Sequence, residues 1–430
     1  MLNPEVYCNI PYSSLVINPD GSYRLCSLTN RQDYDMGACK DIKTGQEMNV
    51  MTHSFEDALG SRWHTYLRTC HAEGKKSELC ECCYNRDAIS GNSRRTHLMR
   101  ILPANIPDFP TPENSEALTD TTGKFTGRVR SLDLRFGNLC NYKCIQCGPW
   151  YSDKWYDEYQ DFNKVDSFAW NGKVIPITGE RLGTGLSGDT NEKWWESDVW
   201  HKRFSDAMPY LRHIYFTGGE PMLIKEHEDM LQALVDGGIA DKVVIELDTN
   251  LSALNDNIMR LWSHFKKVDL RVSLDDVGER YNTTRFPGNF TKVDANLKEL
   301  TSRSMPNVDM LLTSCIMPTN VFYIHEIEDY NKKVGIPRDA HFRFVDTPSH
   351  FDIRVFSIDQ RRKMVEHLSA YTGTHKWPRK VIQYLRSDNN QHLCDEEAAN
   401  KFFLFMDYLD RTRGTNWRAA YPETASLMPL

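Results

Sequence analysis

The chain has 430 residues, enough for a large core and two or three domains. Hydrophobic residues make up 40% and charged residues 26%, the balance of a globular protein in water, and no run of about eighteen apolar residues offers a membrane span. The net charge of −7 and pI near 6.1 argue against a dominant nucleic-acid surface.

The N-terminus, Met1-Leu-Asn-Pro-Glu-Val-Tyr-Cys8, has neither a basic nor an apolar leader region, so no secretory signal is expected and the chain is expected to be cytoplasmic. Twelve cysteines in such a chain read as metal ligands and not as disulfides. Residues 1–90 read as a small α+β cysteine module. Leu15-Val-Ile17 and Tyr23-Arg-Leu25 flank the Asn18-Pro-Asp-Gly21 turn and predict a hairpin. Cys8 precedes the hairpin and Cys26 ends it. Ser54 starts a predicted helix with Phe55, Leu59, Trp63 and Leu67 at helical spacing. Cys80-Glu-Cys82-Cys83 follows. Cys8, Cys26, Cys80 and Cys83 can converge on one fully ligated metal centre, and Cys82 can stand in for Cys80 or Cys83. Four-cysteine zinc is the plainer reading of the same set. Cys39 and Cys70 read as ordinary thiols. Residues 91–128, with Pro103, Pro107, Pro110 and Pro112, read as an irregular linker. Arg94-Arg95 reads as a solvated or intramolecular pair.

From residue 129 strands and helices alternate, which predicts a parallel α/β architecture. Strands are expected at 130–137, 213–217, 243–249, 268–275, 308–316 and 341–346. Leu132, Leu134 and Phe136 alternate with polar residues, so Cys140-Asn-Tyr-Lys-Cys144-Ile-Gln-Cys147 sits on the loop leaving a strand's C-terminal end. Three thiolates at these spacings can hold three corners of an iron–sulfur cluster and leave one iron open. A structural zinc site normally closes with four ligands, and no further Cys or His follows nearby. The second strand ends in Thr217-Gly218-Gly219-Glu220. Its glycines admit close backbone approach, and Glu220 can accept from an ammonium. In the third strand Glu246, Asp248 and Asn250 share a face. In the fourth, Asp269, Arg271, Ser273 and Asp275 lie opposite Val268, Leu270, Val272 and Leu274. Some of these polar residues, Arg271 and Glu246 in particular, can equally form internal ion pairs.

The triplet and the Gly-Gly-Glu strand end together resemble the radical S-adenosylmethionine (SAM) enzymes, over roughly residues 129–350. The resemblance implies a partial (β/α)6 TIM-type barrel. It implies a [4Fe–4S] cluster on Cys140, Cys144 and Cys147 whose open iron chelates SAM, with Gly218, Gly219 and Glu220 holding the SAM amino group. It places Asp248 or Asn250, Ser273 and Arg285 at the SAM ribose and carboxylate. Gln146, where the family often has an aromatic residue, meets adenine through its backbone. The Cys8-x12-Gly21-x4-Cys26 and Cys80-x2-Cys83 pattern resembles the twitch domain, the shorter relative of the SPASM domain. That implies an auxiliary cluster, expected to be [4Fe–4S], although the family usually carries this module after the barrel. The chemistry implied is reductive cleavage of SAM to a 5′-deoxyadenosyl radical that takes a hydrogen atom from a substrate. The expected substrate is a peptide or protein side chain, with a small polar metabolite second. The electron is expected from an external one-electron reductant such as flavodoxin or ferredoxin. No membrane partner and no nucleic acid is expected. A non-catalytic zinc scaffold is the reading from another class.

Residues 150–210 form a long insertion with six of the ten tryptophans and Gly-rich sequence from Gly183 to Asp189. It reads either as a lid with substrate contacts or as a satellite core. Cys315, ending the fifth strand, reads as a buried inert thiol or as a hydrogen-atom donor. Residues 351–430 read as a helical extension, with Phe402, Phe403, Phe405, Met406 and Leu409 capping the barrel.

Overall fold

The computed structural model describes residues 1–29, 37–91, 93–119, 125–149, 151–158, 161, 169–170, 173–174, 193–345, 348–386 and 394–428. The chain divides into two compact units. One comprises Met1–Asn138, Thr178–Leu247 and Asp256–Asp269; the other comprises Leu139–Ile177, Asp248–Asn255 and Leu270–Leu430. No helix among the described residues is long and apolar enough to cross a membrane.

In the first unit the expected hairpin forms from β1 (Ser14–Ile17) and β2 (Tyr23–Arg24), antiparallel with Val16 opposite Arg24. Gly21 makes its turn at φ +77°, where an added Cβ would stand 3.0 Å from Asn49 Oδ1. The hairpin is also part of a parallel ladder. β1 pairs with β3 (Ser131–Leu134), β3 with β4 (His213–Phe216), and β4 with β5 (Val244–Thr249). Leu15, Leu132, Ile214 and Ile245 therefore stand in one row, each at most 1% exposed. β3 alternates Leu132 and Leu134 with Ser131 and Asp133 although all four are buried, so its polar residues are enclosed as well. The aligned register brings the segments leaving β3 and β4, Arg135–Gly137 and Thr217–Glu220, out at the same C-terminal edge.

Helix capping explains two departures from the sequence reading. The single helix expected from Ser54 is two, α1 (Phe55–Leu59) and α2 (Arg62–Ala72). Ser54 and Asp57 form a capping box for α1, while the fully buried Ser61 adopts extended backbone and meets His64 Nδ1 at 2.9 Å, which restarts the helix. The stretch expected to be irregular contains α4 (Arg94–Asn105), after α3 (Glu81–Ser90). A Ser93–Thr96 capping box starts α4, and Pro103 sits inside it near its C-terminal end. Arg95 of α4 is an internal anchor. It reaches Asp87 at 2.7 Å and the carbonyls of Pro4 and Tyr7 at 3.0 and 2.9 Å.

The described tryptophans of the insertion that lie in this unit build a satellite core. Trp200, on α5 (Asp198–Ala207), packs on Trp194, Phe136, Phe204 and Phe55. Gly183 to Asp189 and the side chains of Trp150 and Trp170 lie outside the described residues. α6 (Lys225–Asp236) buries Met230, Leu231 and Leu234, with Val235 half-buried, and α7 (Asp256–Trp262) buries Ile258, Leu261 and Trp262.

The second unit contains the end of β6 (Lys267–Ser273), then β7 (Val308–Ile316) and β8 (His341–Phe344). β7 lies between the other two and pairs in parallel with β8. α8 (Glu279–Thr284), α9 (Phe290–Ser302) and α10 (Ile324–Lys333) alternate with these strands. The six strands expected from residue 129 onward are thus β3 to β8, and the chain is α/β. The C-terminal extension is helical as expected: α11 (Ile358–Ser369), α12 (Lys376–Arg386) and α13 (Glu396–Arg413). Asp395 caps the start of α13, and Gly414, at φ +66°, ends it. Phe402, Phe403, Phe405, Met406 and Leu409 are buried, and Phe402 packs edge-on against Phe351, Phe356 and Trp417.

Two outcomes follow from this packing. Trp200→Ala is expected to cost about 3–5 kcal/mol of stability, read from the urea midpoint, because the ring fills an aromatic cluster that cannot collapse around alanine. Asp276 is fully buried beside Arg280 at 2.9 Å and Tyr421 at 2.9 Å, and burial pushes its carboxyl up to about 7 despite those partners. Between about pH 4 and 7 the folded state then holds a proton that the unfolded chain releases, so stability falls as pH rises through that window. Asp276→Asn should flatten that part of a stability–pH curve measured by chemical denaturation.

Candidate functional site

In the second unit the cysteine loop is pinned by its own backbone. Lys143 N donates to Phe286 O at 2.7 Å and Ile145 N to Thr284 O at 2.9 Å, so the loop is held by the chain at the end of α8. Cys140 N donates to Asp153 Oδ1 at 3.1 Å, and Trp155 Nε1 donates to Cys144 O at 3.0 Å. Cys140 and Cys144 are buried, and Cys147 is half-buried. Tyr142 N approaches Cys140 Sγ at 3.5 Å. The Cys144 and Cys147 thiols hydrogen-bond each other. That bond pushes Cys144 down, against its burial, and pushes Cys147 up. Metal binding takes the deprotonated form of such thiols, so it would release their protons.

Asp275, which the sequence reading left on a polar strand face without a role, is the hub beside this loop. The residue is fully buried. Its carboxylate accepts from Gln146 Nε2 at 2.5 Å, from Cys315 N at 2.8 Å and from Arg285, whose Nη2 lies at 2.7 Å. Burial pulls the Arg285 guanidinium down, but Asp275 first, and then Cys144, Tyr281 and Cys147, hold it well above its ordinary range. The Gln146 side chain gives Nε2 to Asp275, and its Oε1 is buried with no hydrogen-bond partner among the described residues. Burial pushes the Cys315 thiol up to about 12, so it keeps its proton.

A second network ties the end of β5 to the loop. Asn250 Nδ2 donates to Asn141 Oδ1 at 3.0 Å, Asn141 Nδ2 to Ser252 Oγ at 2.8 Å, and Ser252 N to Asn250 Oδ1 at 2.8 Å. Leu251 in this ring has φ +52°, rare for a residue with a side chain. Asn141 and Ser252 were not singled out from sequence; their signal is the Asn-rich turn after a strand. Asp248 faces Arg271 at 4.0 Å, and Ser273 ends β6 half-buried.

In the first unit Gly218 and Gly219 have φ +80° and +54°, and a Cβ on Gly218 would stand 3.1 Å from Arg135 Cβ. The buried Glu220 caps the next turn by accepting from Met222 N at 3.1 Å. Glu246, for which an internal ion pair was one reading, meets His213 Nε2 at 3.0 Å.

The same unit gathers Cys8, Cys26, Cys80, Cys82 and Cys83 around one cavity, together with Arg94 and Arg95. Burial pushes Cys8 up to about 12 and also raises Cys26 and Cys80, and neighbouring thiols add to each rise. Cys83 is pushed down to about 6, chiefly by its hydrogen bond with Cys82. Cys82 Sγ also lies 3.2 Å from Leu28 O, so its single S–H is shared between that carbonyl and Cys83. Cys39 instead meets His64 Nδ1 at 3.7 Å, and neither it nor Cys70 lines this cavity. Among the described residues no three Cys, His, Asp or Glu side chains close around a single ion position. Both cysteine groups are all-sulfur donor sets with a guanidinium beside them, which suits an anionic iron–sulfur group.

No family model matches the chain. Two curated relatives, named GTP 3′,8-cyclase and from two strains of Corynebacterium glutamicum, are each 26% identical over 197 residues, 44% of this chain and 42% of theirs. The chain thus matches less than half the length of these relatives. Among solved structures, native anSMEcpe with bound AdoMet overlaps 56% of this chain and 58% of its own at TM-score 0.33 and 13% identity. Streptococcus suis SuiB bound to S-adenosylmethionine overlaps 72% of this chain and 61% of its own at TM-score 0.34 and 14% identity. Likeness that slight says nothing of activity or substrate. The cysteine loop after β3 and the Gly-Gly-Glu turn after β4 are the features in which this chain is similar to the radical S-adenosylmethionine enzymes.

Proposed function

We propose that Cys140, Cys144 and Cys147 hold a [4Fe–4S] cluster whose open iron takes SAM, and that the enzyme oxidatively modifies a peptide or protein side chain. A cluster held by Cys140, Cys144 and Cys147 would supply the electron for reductive cleavage of SAM and so the 5′-deoxyadenosyl radical chemistry that oxidises the substrate. The chain's own residues orient and shield. Gly218, Gly219 and Glu220 serve the SAM amino group, and Asp248 or Asn250, Ser273 and Arg285 serve its ribose and carboxylate. Gln146 serves adenine through its backbone. Cys8, Cys26, Cys80 and Cys83 hold an auxiliary cluster. Cys82 is the alternative to Cys80 or Cys83 in that set. The domain limits 1–90, 91–128, 129–350 and 351–430 belong to this reading, as does a flavodoxin- or ferredoxin-like electron donor.

The observation that carries the reading is the pinned loop itself, three thiols with Arg285 among them and no fourth ligand in the motif. A second substrate class is worth testing because the curated relatives are GTP cyclases: a nucleotide or other small polar metabolite. Anaerobic reconstitution of the full chain should give iron and sulfide, and dithionite with SAM should give 5′-deoxyadenosine. Cys144→Ala should abolish both the SAM-responsive iron signal and 5′-deoxyadenosine. Colourless protein that binds zinc would instead support a scaffold. Adding peptides or GTP and following 5′-deoxyadenosine separates the substrate classes.

A further inference from the structure

Behind the cysteine loop lies a buried chain of charge. Lys143, between two of the triplet cysteines, pairs with Glu158 Oε1. Glu158 Oε2 accepts from Arg413 Nε at 3.0 Å and Nη2 at 2.7 Å. The Arg413 side chain is 1% exposed, that of Glu158 10% and that of Lys143 21%, so two cations share one carboxylate, with Arg413 the buried one and Lys143 the half-buried one. A buried pair of this kind gains little net stability against its desolvation, which calls for another reason to place it here. Its surroundings supply one. The Arg413 guanidinium lies 4.5 Å from the centre of the Trp155 ring and 5.2 Å from that of Phe286. Trp155 Nε1 holds Cys144 O, and Phe286 O holds Lys143 N. Tyr408, on the same helix α13, donates to Glu158 O at 2.8 Å. Arg413 also favours the ionised Cys144 thiol. Its Nη1 is buried with no hydrogen-bond partner among the described residues.

We propose that Arg413, in the last turn of α13, is a positioning residue that braces the cysteine loop and biases its cluster toward the reduced state, with Glu158 as the opposing charge. This rests on the reading of the triplet as a cluster site. One-electron reduction adds negative charge to a group already carrying three thiolates. A net positive charge held nearby in low dielectric stabilises that product more than the oxidised state. Removing the cation should therefore lower the potential, and removing the carboxylate should raise it. Loss of packing alone has no reason to produce opposite signs.

The test is an EPR-monitored redox titration of the anaerobically reconstituted full chain, following the signal that changes when SAM is added. Arg413→Gln is expected to shift its midpoint negative by about 59 mV, a tenfold change in the one-electron equilibrium. Glu158→Gln is expected to shift it positive, and Arg413→Lys, which keeps the charge, to stay nearer the wild type than Arg413→Gln. If Arg413→Gln loses iron, the sign of the Glu158→Gln shift decides alone. Shifts of the same sign, or no shift with iron retained, overturn the proposal. A wild-type chain with no SAM-responsive signal sinks the functional reading of the triplet first, which is a separate and recognisable outcome.

Discussion

A full negative charge at Asp275 has been taken out of water, and the ground around the cysteine loop is organised to answer it. Arg285, Gln146 and the backbone N–H of Cys315 all converge on that one carboxylate. Leaving such a charge without its partner costs on the order of 3–5 kcal/mol, so these groups are not free to wander. Their order is inherited by the thiols, because Gln146 stands between Cys144 and Cys147 in the chain. Arg285 acts on both cysteines as well as on Asp275.

The two cysteine groups differ in how charge is treated. Near the triplet loop stand Arg285, paired with Asp275, and Arg413, paired with Glu158, and both favour the ionised form of Cys144. In the N-terminal group Cys8, Cys26 and Cys80 are driven toward the neutral thiol by burial and by one another. Binding a metal group there must displace protons from buried sulfurs, which couples loading of that site to pH. The Cys82–Cys83 hydrogen bond supplies the one thiol of the set that ionises readily.

The tryptophans of the insertion divide between the units. Trp194 and Trp200 pack with Phe136, the residue that leaves β3 toward the Gly137 turn, while Trp155 stacks on Phe405 of α13. A segment that reads as surplus between two strands thus contributes, through its described residues, to the support of the strand end and of the cysteine loop.

Sequence by itself determined whatever depends on neighbours a few residues apart. Two-residue and helical periods located six strands and the apolar stripes of α6 and α7, and Gly and Cys spacing put the motifs at strand ends. Capping boxes at Ser54 and Ser93 were equally local, and the second was legible but masked by the prolines around it. What only tertiary structure decided involves partners far apart along the chain, for which no period exists. β1 could have stayed in an isolated hairpin, yet it pairs in parallel with β3. Gln146 reaches Asp275 across 129 residues, and Glu158 reaches Arg413 across 255. Alternation reveals that a strand face is polar. Which of its polar groups becomes the buried hub is set by which opposite charges the fold brings within hydrogen-bonding distance, because an unpaired charge cannot remain out of water.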